Sequence, residues 1–163
     1  MKKIVIIGCP GSGKSTFAKL LSDLTSLPLF HLDMLYWNKD KTIVDKQVFL
    51  NNLNDMLNLD EWIIDGNYLS TMELRISKCD TIIFLDYPLE ICLDGIKNRI
   101  GKPRSDMPWV EKDVDSDFVK YVERYNIDIK PQVFNILRKY AYKDTYIFKN
   151  RSDSSNFLDL LSR

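Results

Sequence analysis

One stretch restricts what this chain can fold into more than any other: Ile4-Val5-Ile6-Ile7-Gly8-Cys9-Pro10-Gly11-Ser12-Gly13-Lys14-Ser15-Thr16. Four branched apolar residues predict a buried strand, and Gly8 to Ser15 fit the pattern G-x-x-x-x-G-K-[ST] without a mismatch. Gly8, Gly11 and Gly13 allow the backbone turns and close approaches that a Cβ would forbid. The loop can then aim its N–H groups at a polyphosphate, with Lys14 reaching the β- and γ-phosphates and the Ser15 hydroxyl on Mg²⁺. A helix must follow, because its N-terminal partial charge adds to the anion site. Phe17, Leu20, Leu21 and Leu24 supply the apolar stripe of such a helix. The candidate nucleotide contacts here are Gly8, Gly11, Ser12, Gly13, Lys14, Ser15 and Thr16.

The rest of the composition narrows the partners. Lys plus Arg and Asp plus Glu are 23 each in 163 residues, a net charge of zero. That balance argues against a broad basic surface for DNA or RNA. The length suits a single domain, 1–163, with a full core. Cys9, Cys79 and Cys92 are odd in number and form no C-x-x-C pair, so they read as reduced thiols. Cys9 is read as the small residue its place in the loop needs. The apolar run after Met1 breaks at Gly8 and Pro10, too short for a leader, and no later run could span a bilayer. A cytoplasmic protein is expected.

Read in order, the chain repeats one pattern: an apolar run that closes on an acid. Pro28 to Asp33 is expected to be a short strand ending at Asp33, and its lone histidine, His31, reads as structural. Ligands of an open parallel sheet bind outside the carboxyl ends of its strands, which makes Asp33 a candidate site residue. Tyr36 and Trp37 could wall an acceptor pocket or half-cover the core. Glu61 to Tyr68 is the next strand, with Asp65 at its carboxyl end and Asn67 just beyond. Ser70-Thr71-Met72-Glu73 fits a capping box opening a helix that carries Arg75. Arg75 reads either as a solvated helix residue or as a clamp for a substrate anion.

Asp80 to Asp86 is a nearly continuous apolar strand, followed by a helix from Pro88 to Arg99. From Ile100 to about Asp117 periodicity fails, and the stretch reads as a lid or binding loop. Its poor apolar content predicts few contacts holding it closed without ligand. Phe118 to Tyr142 is expected to be helical with a break at Pro131, and Asp144 to Lys149 to be the last strand. Asn150 and Arg151 leave the sheet at the ligand edge, and Asp153 or Ser154 is expected to cap a final helix. Some five strands alternating with helices give a three-layer α/β domain.

These strings together resemble the adenylate-kinase-like small P-loop kinases along essentially the whole chain. Within them the sequence is similar to the DNA topology modulation (FlaR-related) group. The carriers are Gly8 to Thr16, His31-Leu32-Asp33, Trp62-Ile63-Ile64-Asp65-Gly66-Asn67-Tyr68 and Thr81 to Asp86. The resemblance implies a P-loop NTPase fold with a five-stranded parallel sheet of order 2-3-1-4-5, helices on both faces and a lid. It implies ATP and Mg²⁺, with Asp65 holding the metal through water and Asp33 facing the acceptor. Arg99 would contact the donor phosphates, and the segment from Asn150 would flank adenine. Where related kinases carry a further arginine, one turn before Arg99, this chain has Gly95.

The expected activity is transfer of the ATP γ-phosphoryl group to a small-molecule or nucleotide acceptor. Lys14, Asp33 and Arg99 are the candidate catalytic residues, with Asp33, Tyr36, Asn67 and Arg75 on the acceptor side and Ser15 and Asp65 on the metal. Two other readings stay open: a nucleotide-dependent regulator linked to DNA topology, and a slow ATPase.

Overall fold

The computed structural model describes residues 1–162. Five parallel strands run β1 (Lys3–Gly8), β2 (Leu29–His31), β3 (Trp62–Asp65), β4 (Thr81–Leu85) and β5 (Asp144–Phe148). They stand side by side in the order β2-β3-β1-β4-β5. β1 is central, with Ile6 opposite Asp65 and Gly8 opposite Leu85, so the phosphate loop leaves from the middle of the sheet.

Alternate residues of each strand face opposite layers, which is why the strands read as continuous apolar runs. Ile4 and Ile6 face the layer of α1 (Lys14–Thr25), α5 (Leu89–Arg99), α6 (Ser116–Asp128) and α8 (Arg151–Leu161), through Phe17, Cys92, Val122 and Leu158. Val5 and Ile7 face α3 (Lys46–Leu57), α4 (Leu69–Lys78) and α7 (Lys130–Lys139), through Leu53, Met72 and Val133. A short α2 (Leu32–Tyr36) continues directly from β2. Among the described residues no helix is long and apolar enough to cross a membrane.

Four local expectations are corrected. The buried stripe of α1 is Phe17, Ala18 and Leu21, while Leu20 is 49% exposed and Leu24 also faces water. Both stripes share Phe17 and Leu21, and the small Ala18 lets the helix settle on that flank. Asp33 is not the end of a strand; β2 stops at His31 and Asp33 sits in the first turn of α2. No capping box forms at Ser70: α4 begins at Leu69, and Thr71 turns its hydroxyl back to the Tyr68 carbonyl. α8 is capped by Asn150, whose Oδ1 accepts from the Asp153 N–H, rather than by Asp153 or Ser154.

The 100–115 segment has no regular structure, but it is tied down. Gly101 N–H donates to the Glu111 carbonyl at 2.7 Å, and Trp109 meets Trp37 edge-on with centroids 5.3 Å apart. The expectation of few closing contacts overlooked ion pairs, which hold this stretch in place of apolar area.

Candidate active site

A cleft of about 1470 Å³ opens at the carboxyl edge of the sheet. The phosphate loop forms its floor, α2 and residues 65–69 one wall, and the 100–115 segment its cover. The helix turn behind the loop starts with Phe17 N–H donating to the Gly13 carbonyl at 2.9 Å. α5 supports the loop from beneath at backbone contact. A Cβ on Gly95 would lie 2.0 Å from the Gly11 carbonyl oxygen, and one on Gly11 would lie 2.0 Å from that of Cys92. Gly95 is therefore a packing requirement of this loop. An arginine cannot occupy it.

Lys14 points into the loop, donating to the Gly8 carbonyl at 2.9 Å and the Cys9 carbonyl at 3.1 Å. Burial pulls its pKa down, against the opposing charges of Asp65 and Asp33. An ammonium so placed gains from any anion that replaces those carbonyls. Cys9 and Cys92 are both buried, and the neighbouring Cys92 thiol together with burial raises the Cys9 pKa.

Ser15 Oγ donates to Asp106 Oδ2 at 2.7 Å. Arg104 grips the same carboxylate in two places, Nε to Oδ1 at 3.0 Å and Nη2 to Oδ2 at 2.6 Å. Its Nη1 reaches Glu111 Oε2 at 2.9 Å, and Glu111 also pairs with Arg99, Nη2 to Oε1 at 2.7 Å. Burial alone would raise the Asp106 carboxyl, but the hydrogen bonds from Arg104 and Ser15 outweigh it and hold the pKa at about 2. Arg99 lies over the Phe118 ring, 5.1 Å from its centroid. Arg99 and Arg104 are thus paired to carboxylates in this state and are not free at the cleft.

On the wall formed by α2 and residues 65–69, Tyr68 donates its hydroxyl to Asp33 Oδ1 at 2.5 Å. Burial raises the Asp33 pKa, and the Tyr68 bond and Lys14 only partly offset that. Asp65 pairs with His31 Nδ1 at 2.9 Å. Burial lowers the His31 pKa, but Asp65 more than reverses this and the net direction is upward. Asn67 accepts the Gly8 N–H at 3.1 Å and so ties the wall to the loop, while its Nδ2 is buried without a partner. Tyr36 packs on Phe49 (5.5 Å), Tyr68 (4.7 Å) and Trp37 (5.0 Å), so it both covers the core and lines the cleft.

Two expected contacts are placed elsewhere. Arg75 is 0% exposed, and its guanidinium donates to the carbonyls of Gly66, Asn67 and Tyr68 at 2.9, 2.9 and 3.2 Å. It is neither a solvated helix residue nor, in this state, a substrate clamp. It holds the turn that carries Asn67 and Tyr68, and burial lowers its pKa to about 10. Asn150 uses both side-chain atoms on Asp153 at the start of α8, leaving Arg151 to line the cleft. Asp86, which closes β4, is neutralised by Lys130 at 2.5 Å and by Lys149. Its role is to tie α7 and the end of β5 to the sheet.

Asp106 and Glu111 are the residues that sequence reasoning missed. Their one signal was a cluster of acids and bases in an aperiodic stretch, which charge counting reads as solvated surface. Among the described residues no group of three or more His, Cys, Asp or Glu side chains could hold a metal unaided. A magnesium ion at Ser15 would therefore need oxygen ligands from a bound polyphosphate and water, which fits the hydroxyl and carboxylate donors found there.

No family model matches the chain, and no curated protein matches it. Among solved structures the chain is similar to shikimate kinase from Acinetobacter baumannii in complex with shikimate. The identity is 16% and the TM-score 0.60, over 99% of this chain and 93% of that one. It is similar also to shikimate kinase from Bacteroides thetaiotaomicron, at 15% identity and a TM-score of 0.58, over 97% and 94%. At such identities the likeness is one of fold: the five-stranded parallel sheet with its surrounding helices is that of the P-loop kinases.

Proposed function

We propose that the chain is a small-molecule kinase that moves the γ-phosphoryl group of ATP to a hydroxyl of an acceptor lying against Asp33. The observation that carries this reading is the shared cleft. Lys14 on the phosphate loop and half-buried Asp33 line one cavity, and each feels the other's charge. The sheet order and the shikimate kinase fold support it.

Each residue has a task in that reaction. Lys14 exchanges its own loop carbonyls for phosphate oxygens and stabilises charge on the transferred group. Asp33, positioned by Tyr68, orients the acceptor hydroxyl and takes its proton as the new O–P bond forms and the bond to the β-phosphate oxygen breaks. Arg99, once released from Glu111, supplies a cation that phosphoryl transfer needs. Magnesium, when bound, neutralises phosphate charge beside Ser15. Arg151 lines the donor end, where adenine would lie.

The acceptor side favours a ring-bearing hydroxyl compound. Tyr36, Trp37, Tyr68 and Trp109 give it aromatic walls, suited to a flat or CH-rich face. Arg75 is buried, so the turn beside Asp33 offers no guanidinium to a carboxylate or phosphate. ADP release should be measured with ATP alone and with a panel of nucleosides, sugars, nucleoside monophosphates and carboxylated polyols. Acceptor-dependent release is the expected result. Release that no acceptor alters would replace the kinase with a slow ATPase.

A further inference from the structure

We propose that Asp106, from the segment covering the cleft, is the acid that prepares the metal site, so that metal–nucleotide binding and tightening of residues 100–115 form one event. The inference rests on the kinase reading above and goes beyond it, because the resemblance places this duty on Asp65.

A serine hydroxyl has a single hydrogen and two lone pairs. Ser15 gives that hydrogen to Asp106 Oδ2 at 2.7 Å. Its oxygen then presents only lone pairs to the cleft, the form in which it can ligate a hard cation. Asp106 is a fixed partner for this purpose, being 5% exposed and held on both oxygens by Arg104. Asp65 lines the same cleft but is differently occupied, because its Oδ1 is paired with His31 Nδ1 at 2.9 Å and no hydrogen bond ties it to Ser15.

Charge bookkeeping explains why the segment can sit there before any nucleotide arrives. Arg104 and Arg99 face Asp106 and Glu111, two cations against two carboxylates. The group is neutral as a unit. A polyphosphate entering alone would meet the Asp106 carboxylate and be repelled. Entering with a divalent cation, it would present that cation to Ser15 and Asp106, and the phosphates would meet guanidiniums. The same contact in reverse defines the competing reading, in which Asp106 merely blocks the site. The two differ in sign. A metal-side acid makes binding depend on the metal, whereas a block weakens binding whether or not metal is present.

The test is calorimetric titration with a non-hydrolysable ATP analogue, in Mg²⁺ and in EDTA, on wild type, Asp106→Asn and Asp65→Asn. Asparagine keeps the size of the side chain and can still accept from Ser15 through its one oxygen, so it removes the charge and one of the two Arg104 contacts. Wild-type binding in EDTA tests the phosphate-loop reading; only the increment gained with Mg²⁺ tests Asp106. That increment should fall in Asp106→Asn by roughly 10- to 100-fold, the usual loss when a group behind a metal ligand is removed. In Asp65→Asn it should persist. Tighter binding by Asp106→Asn in both conditions would show a block and overturn the proposal, as would an increment lost in Asp65→Asn instead. Wild-type amide exchange supplies a readout independent of any variant. Residues 100–115 should gain protection with the analogue and Mg²⁺ and not with the analogue in EDTA, and equal protection in both would overturn the coupling.

Discussion

Gly11 and Gly95 touch backbone to backbone beneath the phosphate loop, whereas the 100–115 segment above it is fastened by charged side chains. The first contact is steric. It has no partner to lose to salt or acid, and it leaves no room for a different arrangement. The second is electrostatic, with side chains 7–20% exposed at the cleft, so salt, pH and a competing anion can all weaken it. The loop is thus built to stay in place, while its cover is built to exchange partners. That division suits the proposed kinase, which would have to bind polyphosphate firmly and release a product.

The sharpest way to break the comparison is to put a Cβ on the steric side. Gly95→Ala should cost about 2–3 kcal/mol or more, because backbone atoms must move rather than a side chain. Denaturant unfolding would measure it, and nucleotide binding should weaken as the loop is displaced. A stability within about 0.5 kcal/mol of wild type would mean that the contact is soft.

Lys14→Ala should leave the unfolding midpoint unchanged and weaken ATP binding by about 10- to 100-fold, the worth of charge-assisted contacts to phosphate. Equal calorimetric affinities for the two proteins would remove the loop from the binding site.

Asp33→Asn should lower the transfer rate by about 100-fold or more with ATP affinity retained. In wild type the rate should climb with pH through a pKa above the ordinary carboxylate range, since burial raises Asp33 and only the ionised form accepts a proton. A flat rate profile across that range would assign the base elsewhere.

The smallest effect concerns the electrostatic side itself. Asp106 ionises more easily in the fold than in the unfolded chain, with a pKa of about 2 against an ordinary 3.8. Its contribution is complete above about pH 4 and lost as the pH falls from there through 2, some 1–2 kcal/mol in all. Trp109 fluorescence should report the segment loosening over that window, and earlier in high salt. The steric contact at Gly95 should show neither response.

Much of the architecture was legible because its signals are local. The strand Ile4–Ile7, the motif Gly8–Ser15 and the apolar runs at Trp62–Ile64 and Thr81–Leu85 each declare themselves within a few residues. Helix detail was less so, since Leu20 and Ala18 differ in hydropathy in the wrong direction for their final burial. Arg75 shows the same limit. A charged residue on an amphipathic helix reads as solvated or functional, and only the turn at Gly66–Tyr68 folding over it supplies the three carbonyls that let it be buried.

What the sequence determined by itself is the phosphate loop and the alternation of strand and helix, because both follow from short-range sterics and hydropathy. The tertiary structure alone decided which distant residues meet there. Ser15 and Asp106 lie 91 positions apart, Gly11 and Gly95 84, and neither pairing has any periodicity to announce it. Such contacts are set by how α5 and the segment after it are carried back over the sheet. For that reason Gly95, which in sequence looks like a missing cation, proves to be the residue that lets the loop and helix touch.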